Sequence, residues 1–254
     1  MLNVIRHEGP AGAPPLVIAH GLFGSAKNWG GVARRLAEGR EVLAVDMRNH
    51  GDSFRAPVHD YPAMAADLAE VIEAAGGEAD LLGHSMGGKA AMTLALTRPE
   101  LVRRLVVADI APVAYGHSQM RYVEAMKGLD LGAVRRRSEA DAALRAAVPE
   151  LAVRAFLLQS LAVGPEGASW RLNLPALRDQ MPAIMTFPDL KGPYEGPALF
   201  LAGGASDYVL DAYWPHIAAL FPQARLEQME GAGHWLHAEQ PEAFAAAADA
   251  FLRA

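Results

Sequence analysis

The chain has 254 residues, of which 52% are apolar and 20% charged, the balance of one large globular domain with a substantial core. Its formal net charge of −6 argues against a nucleic-acid partner, which would want a basic stripe. It has no cysteine, so disulfides, cysteine nucleophiles and thiolate metal sites are excluded. The opening MLNVIRHEGPAG has no apolar run of signal-peptide length, and no segment approaches a membrane span. A soluble cytoplasmic protein, monomeric or a small homo-oligomer, is therefore expected.

In chain order, residues 2–8 suit an edge strand and 9–15 form a turn cluster. Residues 16–19 are a continuous apolar run, as in a strand buried on both faces, and lead into His20-Gly21-Leu22-Phe23-Gly24-Ser25. A helix follows at 30–38, ended by Gly39, and a second buried strand at 42–45 is closed by the polar run 46–53, DMRNHGDS. Residues 61–75 carry Met64, Leu68, Val71 and Ile72 at helical spacing and stop at Gly76-Gly77. A strand at 79–82 precedes GHSMGG, and the helix at 89–98 is stopped by Pro99. The strand 105–108 ends in Asp109-Ile110-Ala111-Pro112.

The alternation then breaks. Residues 113–193 contain no convincing buried strand; amphipathic helices are expected at 119–129, 139–147, 150–161 and 174–184. Strands return at 198–201 and 225–229, with a helix at 212–220 between them. The loop Gly231-Ala232-Gly233-His234 follows, and a last helix begins near Pro241. Helices alternating with continuous apolar strands imply an α/β fold: a mostly parallel sheet with helices on both faces. On this reading 1–112 and 194–254 form the core, and 113–193 is a helical cap inserted after the sixth strand of the fold. The polar clusters all fall at carboxyl ends of strands, where ligand chemistry belongs in such sheets.

Gly83-His84-Ser85-Met86-Gly87 is a G-x-S-x-G nucleophile elbow between a strand and a helix. The turn is so sharp that side chains at the flanking positions would collide with neighbouring elements, and glycine removes the collisions. A serine hydroxyl needs a base within hydrogen-bond reach. His234, on a glycine-flanked loop after the last strand, is the candidate, and the order Ser then His is that of α/β-hydrolases. His237 makes a His-x-x-His pair with it, but no third ligand has metal spacing, so it reads as loop support. An oxyanion hole needs two backbone donors. The Met86 amide at the helix start is expected to be one, and the His20-Gly21 loop to supply the other: Leu22 in preference to Phe23, because the residue after His-Gly is the usual donor in related folds. The 46–53 run reads as a loop braced by hydrogen bonds, and Arg135-Arg136-Arg137 as a solvated face.

The segments HGLFGSAKNW (20–29), VDMRNHGDS (45–53), GHSMGGKAAM (83–92), ADIAPVAY (108–115) and GAGHWLHAE (231–239) resemble the α/β-hydrolase superfamily. More narrowly, they resemble the small bacterial acyl esterases related to mitochondrial abhydrolase-domain proteins. The resemblance implies a serine esterase or thioesterase acting on a small acyl ester or acyl thioester, without metal or organic cofactor. It also bears on the acid. In most of the superfamily the acid follows the seventh strand, where this chain has Ser206 at the usual position and Asp207 displaced by one. In the narrower family it lies in the D-I-A-P segment, here Asp109, which is preferred, with Asp207 in reserve. The cap should form an apolar acyl pocket for short to medium chains, with Phe23, Trp170, Phe187 and Tyr208 as substrate-binding residues. A carbon–carbon bond hydrolase or a cofactor-free perhydrolase would keep the same triad, and a non-enzymatic binding protein would tolerate its loss.

Overall fold

A computed structural model describes all residues, Met1–Ala254. The first half alternates strand and helix: β1 (Asn3–His7), β2 (Leu16–Ala19), α1 (Gly30–Leu36), β3 (Val42–Asp46), α2 (Tyr61–Ala74), β4 (Ala79–His84), α3 (Met86–Thr97) and β5 (Val102–Ala108). The next segment holds α4 (Met120–Lys127), α5 (Arg137–Leu144), α6 (Leu151–Leu157), β6 (Leu161–Gly164), β7 (Gly167–Trp170), α7 (Leu174–Asp179) and α8 (Met181–Met185). The chain ends with β8 (Ala198–Gly203), α9 (Trp214–Leu220), β9 (Ala224–Met229), α10 (Leu236–Glu239) and α11 (Pro241–Arg253).

Seven strands form one sheet in the order β1-β3-β2-β4-β5-β8-β9, and only β1 runs antiparallel to its neighbour. The apolar runs are continuous because both faces are covered, and alternate residues feed different cores. Val17, Leu43, Leu105 and Phe200 pack on the side of α2 and α3 with Met64, Leu68 and Met92. Ile18, Ala44, Val106 and Leu199 pack on the side of α1 and α11 with Val32, Leu36 and Phe244. No helix is long and apolar enough to cross a membrane.

The structure departs from the sequence reading at two points. The insertion is not all helical: Leu161, expected to end a helix, begins the antiparallel hairpin β6–β7, with Gly167 at φ +113° in its turn. The stretch 174–184, expected as one helix, is two, since Pro182 lacks the amide that continuity requires and sits instead in the first turn of α8. The chain is back on the core by Tyr194, whose hydroxyl donates to Val102 O at 2.9 Å.

A buried lysine joins the insertion to the core. Lys89, on α3, is 1% exposed, and its Nζ donates to Val113 O at 2.7 Å and Thr186 O at 2.6 Å, one from each end of the inserted segment. The Tyr115 ring lies 4.7 Å from the same nitrogen. Burial pushes the ammonium down to about 7, and the carbonyls and the ring favour its charge.

Candidate active site

The elbow is built from β4 and α3. Ser85 has φ 53° and ψ −118°, a region that costs about 1–3 kcal/mol for a residue with a side chain. A Cβ on Gly83 would stand 2.3 Å from Gly87 O, and one on Gly87 would stand 2.3 Å from Ala19 O. These close approaches explain the glycines on either side of the serine. Ser85 N–H donates to Ala108 O at 3.0 Å, tying the elbow to the end of β5.

The ends of β5 and β8 and the loop after β9 bring the other groups to the serine. His234 Nε2 lies 3.1 Å from Ser85 Oγ, and His234 Nδ1 lies 2.7 Å from Asp109 Oδ2. Asp109 is fully buried at φ 49°. Its other contacts are the Gly203 amide, which donates to Oδ1 at 2.8 Å, and the Ser206 hydroxyl, which donates to Oδ2. Three donors therefore meet this carboxylate, the condition for burying it. Asp207 makes no hydrogen bond with His234; Ser206 and Tyr208 on either side of it face the site. Tyr208 stacks on the imidazole with centroids 3.9 Å apart.

The Leu22 and Met86 amides donate to no other group of the chain, and Met86 begins a 12-residue helix whose positive dipole end faces the site. The Phe23 amide is occupied, donating to His50 Nε2 at 3.1 Å. That contact separates Leu22 from Phe23 as an available donor. The 46–53 loop is braced by hydrogen bonds: Asp46 accepts from the Ala26 and Asp52 amides, and Arg48 makes a bidentate pair with Asp67.

A cavity of about 100 Å³ opens over Ser85. Leu22, Phe23 and Tyr208 line it, together with Tyr61, Tyr122 and Phe156. Trp170 and Phe187, expected as substrate-binding residues, do not. Trp170 sits on β7, donates its indole N–H to Met126 O at 2.9 Å and packs on the small core of the insertion. Phe187 packs beside Tyr61, behind the cavity wall. Sequence reading missed Tyr61, Lys89 and Trp235, which also line the space. A lone lysine in the apolar helix KAAMTLAL was the available signal for Lys89.

Five histidines packed around this site are kept below their ordinary value by burial: His20, His50, His59, His84 and His237. His59 and His237 are pushed down to about 3. The unfolded chain takes up a proton on each near its ordinary value, and the folded chain does not until about pH 3. Between those values the unfolded state binds more protons, so stability falls as pH falls, by about 1.4 kcal/mol per pH unit for each histidine. Urea midpoints are expected to drop steeply from pH 7.5 to pH 5, and equal midpoints would contradict this account.

An elbow serine, a carboxylate and an imidazole in the chain order Ser85, Asp109, His234, at the carboxyl ends of a mostly parallel sheet, are an arrangement found in α/β-hydrolases. Residues 14–241 match the family described as the alpha/beta hydrolase fold, and the chain belongs to it. Over 254 residues it is 43% identical to the sn-1-specific diacylglycerol lipase ABHD11 of Mus musculus, covering 96% of this chain and 83% of the mouse protein. It is 42% identical over 233 residues to esterase YbfF of Escherichia coli (strain K12), covering 90% of this chain and 89% of the relative. Among solved structures, a marine microorganism esterase superposes with a TM-score of 0.93 at 35% identity, covering 99% of this chain and 100% of that one.

Proposed function

We propose that the protein is a serine esterase that cleaves short to medium acyl esters or thioesters through an acyl-enzyme. The observation that carries this is the unbroken contact series from Ser85 Oγ through His234 to Asp109 Oδ2, at 3.1 and 2.7 Å. His234 Nε2 takes the hydroxyl proton as Ser85 Oγ attacks the carbonyl carbon. Asp109 holds the proton on Nδ1 and stabilises the imidazolium that forms. The Leu22 and Met86 amides receive the negative charge on the carbonyl oxygen. His234 then gives its proton to the departing alcohol or thiol. Water, deprotonated by the same nitrogen, attacks the acyl-enzyme; the imidazolium returns that proton to Ser85 Oγ as the bond to the acyl carbon breaks, and the acid is released. No step requires a metal or organic cofactor. Residues 113–193 act as a cap that supplies the upper wall of the acyl cavity.

Similarity to proteins named esterase and diacylglycerol lipase supports ester cleavage. The cavity supports the chain length, since at about 100 Å³ it is closed in by bulky side chains, among them Tyr61, Tyr122, Phe156 and Tyr208, which limit the acyl chain it can take. A series of p-nitrophenyl esters and acyl-CoA thioesters from two to sixteen carbons tests this. The highest kcat/KM is expected at eight carbons or fewer. Emulsified long-chain triacylglycerol as the best substrate would overturn the reading of the cavity.

A further inference from the structure

The oxyanion donor on the Leu22 side belongs to a strained turn. Gly24 N–H donates to Gly21 O at 3.0 Å, which closes a four-residue turn with Leu22 and Phe23 at its centre. Phe23 sits at φ 67°, a position that favours glycine, and a bulky residue stays there only where its surroundings hold it. Two imidazoles do the holding. His20 Nδ1 lies 2.8 Å from Gly21 O, the carbonyl of the same peptide unit that carries the Leu22 N–H. His50 Nε2 accepts from Phe23 N–H, in the next peptide unit, at 3.1 Å.

The backbone partners fix the tautomer of each ring. A carbonyl only accepts and an amide only donates. His20 therefore carries its proton on Nδ1, toward Gly21 O, and accepts at Nε2 from Met47 N–H at 3.0 Å. His50 carries its proton on Nδ1, toward Arg48 O at 2.9 Å, and accepts at Nε2. Both rings are neutral in this network, and their centroids are 5.1 Å apart. His50 is itself clamped from the cap side: it forms a β-bridge with Leu172, and Asn173 N–H donates to Asn49 O at 2.9 Å.

We infer that His50 is a positioning residue for the oxyanion hole: its Nε2 holds the Phe23 amide and so keeps the adjoining Leu22 amide aimed at the reacting carbonyl oxygen. The inference rests on reading Leu22 as an oxyanion donor. His50 touches neither substrate nor nucleophile. Its contribution lies in the turn, where a displacement of about 1 Å at a reacting group costs about a hundredfold in rate.

The test compares His50→Leu, which removes the acceptor, with His50→Gln, whose amide oxygen reaches the Nε2 position, and His50→Asn, whose oxygen falls short. On p-nitrophenyl acetate, kcat of the Leu and Asn variants is expected to fall about 10- to 100-fold with KM within about twofold. The Gln variant should recover to within about fivefold of the unaltered enzyme. Affinity for a trifluoromethyl ketone, whose adduct with Ser85 places an oxyanion in the hole, should fall with kcat, measured per folded molecule. Equal kcat in the Gln and Asn variants overturns the inference even where the Leu variant does not fold, as does undiminished ketone affinity in the Asn variant. If the unaltered protein neither cleaves the ester nor binds the ketone, the esterase reading itself fails, which is a separate outcome.

Discussion

Ser85→Ala is expected to lower kcat on p-nitrophenyl acetate by about four to six orders of magnitude and to abolish covalent labelling by a fluorophosphonate. The size follows from the chemistry, since without Oγ the imidazole has no proton to take and no acyl-enzyme forms. Stability should change little. Alanine keeps the backbone cost of φ 53° at the elbow, and the lost hydroxyl is partly exposed, with His234 as its one partner. Ser85→Gly should be the more stable of the two inactive variants, because glycine adopts that backbone without strain. Labelling of Ser85→Ala at the stoichiometry of the unaltered protein would exclude Ser85 as the nucleophile.

Asp109→Asn is expected to lower kcat by about two to four orders of magnitude with little change in KM, whereas Asp207→Asn should stay within about tenfold. An amide at position 109 can turn its NH2 toward His234 Nδ1, which selects the wrong tautomer for a base at Nε2. The same change disturbs the fold locally. Asp109 also accepts from the Gly203 amide and the Ser206 hydroxyl; with the NH2 at the Oδ2 position the amide oxygen still accepts from Gly203 and the hydroxyl turns to accept. Charge-assisted bonds become neutral ones, so a loss of about 1 kcal/mol is expected, and rates must be compared per folded molecule by urea titration. A crippled Asp207→Asn beside an active Asp109→Asn would move the acid to the loop after β8.

The elbow was legible in the sequence because its pattern is short and contiguous. A Cβ at Gly83 would meet Gly87 O within the elbow itself, whereas a Cβ at Gly87 would meet Ala19 O on the neighbouring strand β2. The sheet was legible for a similar reason: strands buried on both faces, such as Leu16–Ala19 and Val42–Asp46, read as unbroken apolar runs. The His-Gly loop, the final histidine and the polar run at 46–53 could be placed at carboxyl ends of strands from chain order alone.

Tertiary structure decided the rest. Asp109 and Asp207 lie on loops after adjacent strands, β5 and β8, and their spacing in sequence does not say which carboxylate reaches the imidazole. The left-handed turn at Asp109 and the donors from Gly203 and Ser206 aim that one at His234. The insertion was read poorly because its helices are short and its apolar residues serve two surfaces, the cavity and its own small core. Tyr122 and Phe156 face the cavity and Trp170 faces the core, a difference in direction that composition cannot carry. His50 shows the same limit. In sequence it is one polar residue in a braced loop, and only the approach of two loops 27 residues apart gives its Nε2 the Phe23 amide to hold.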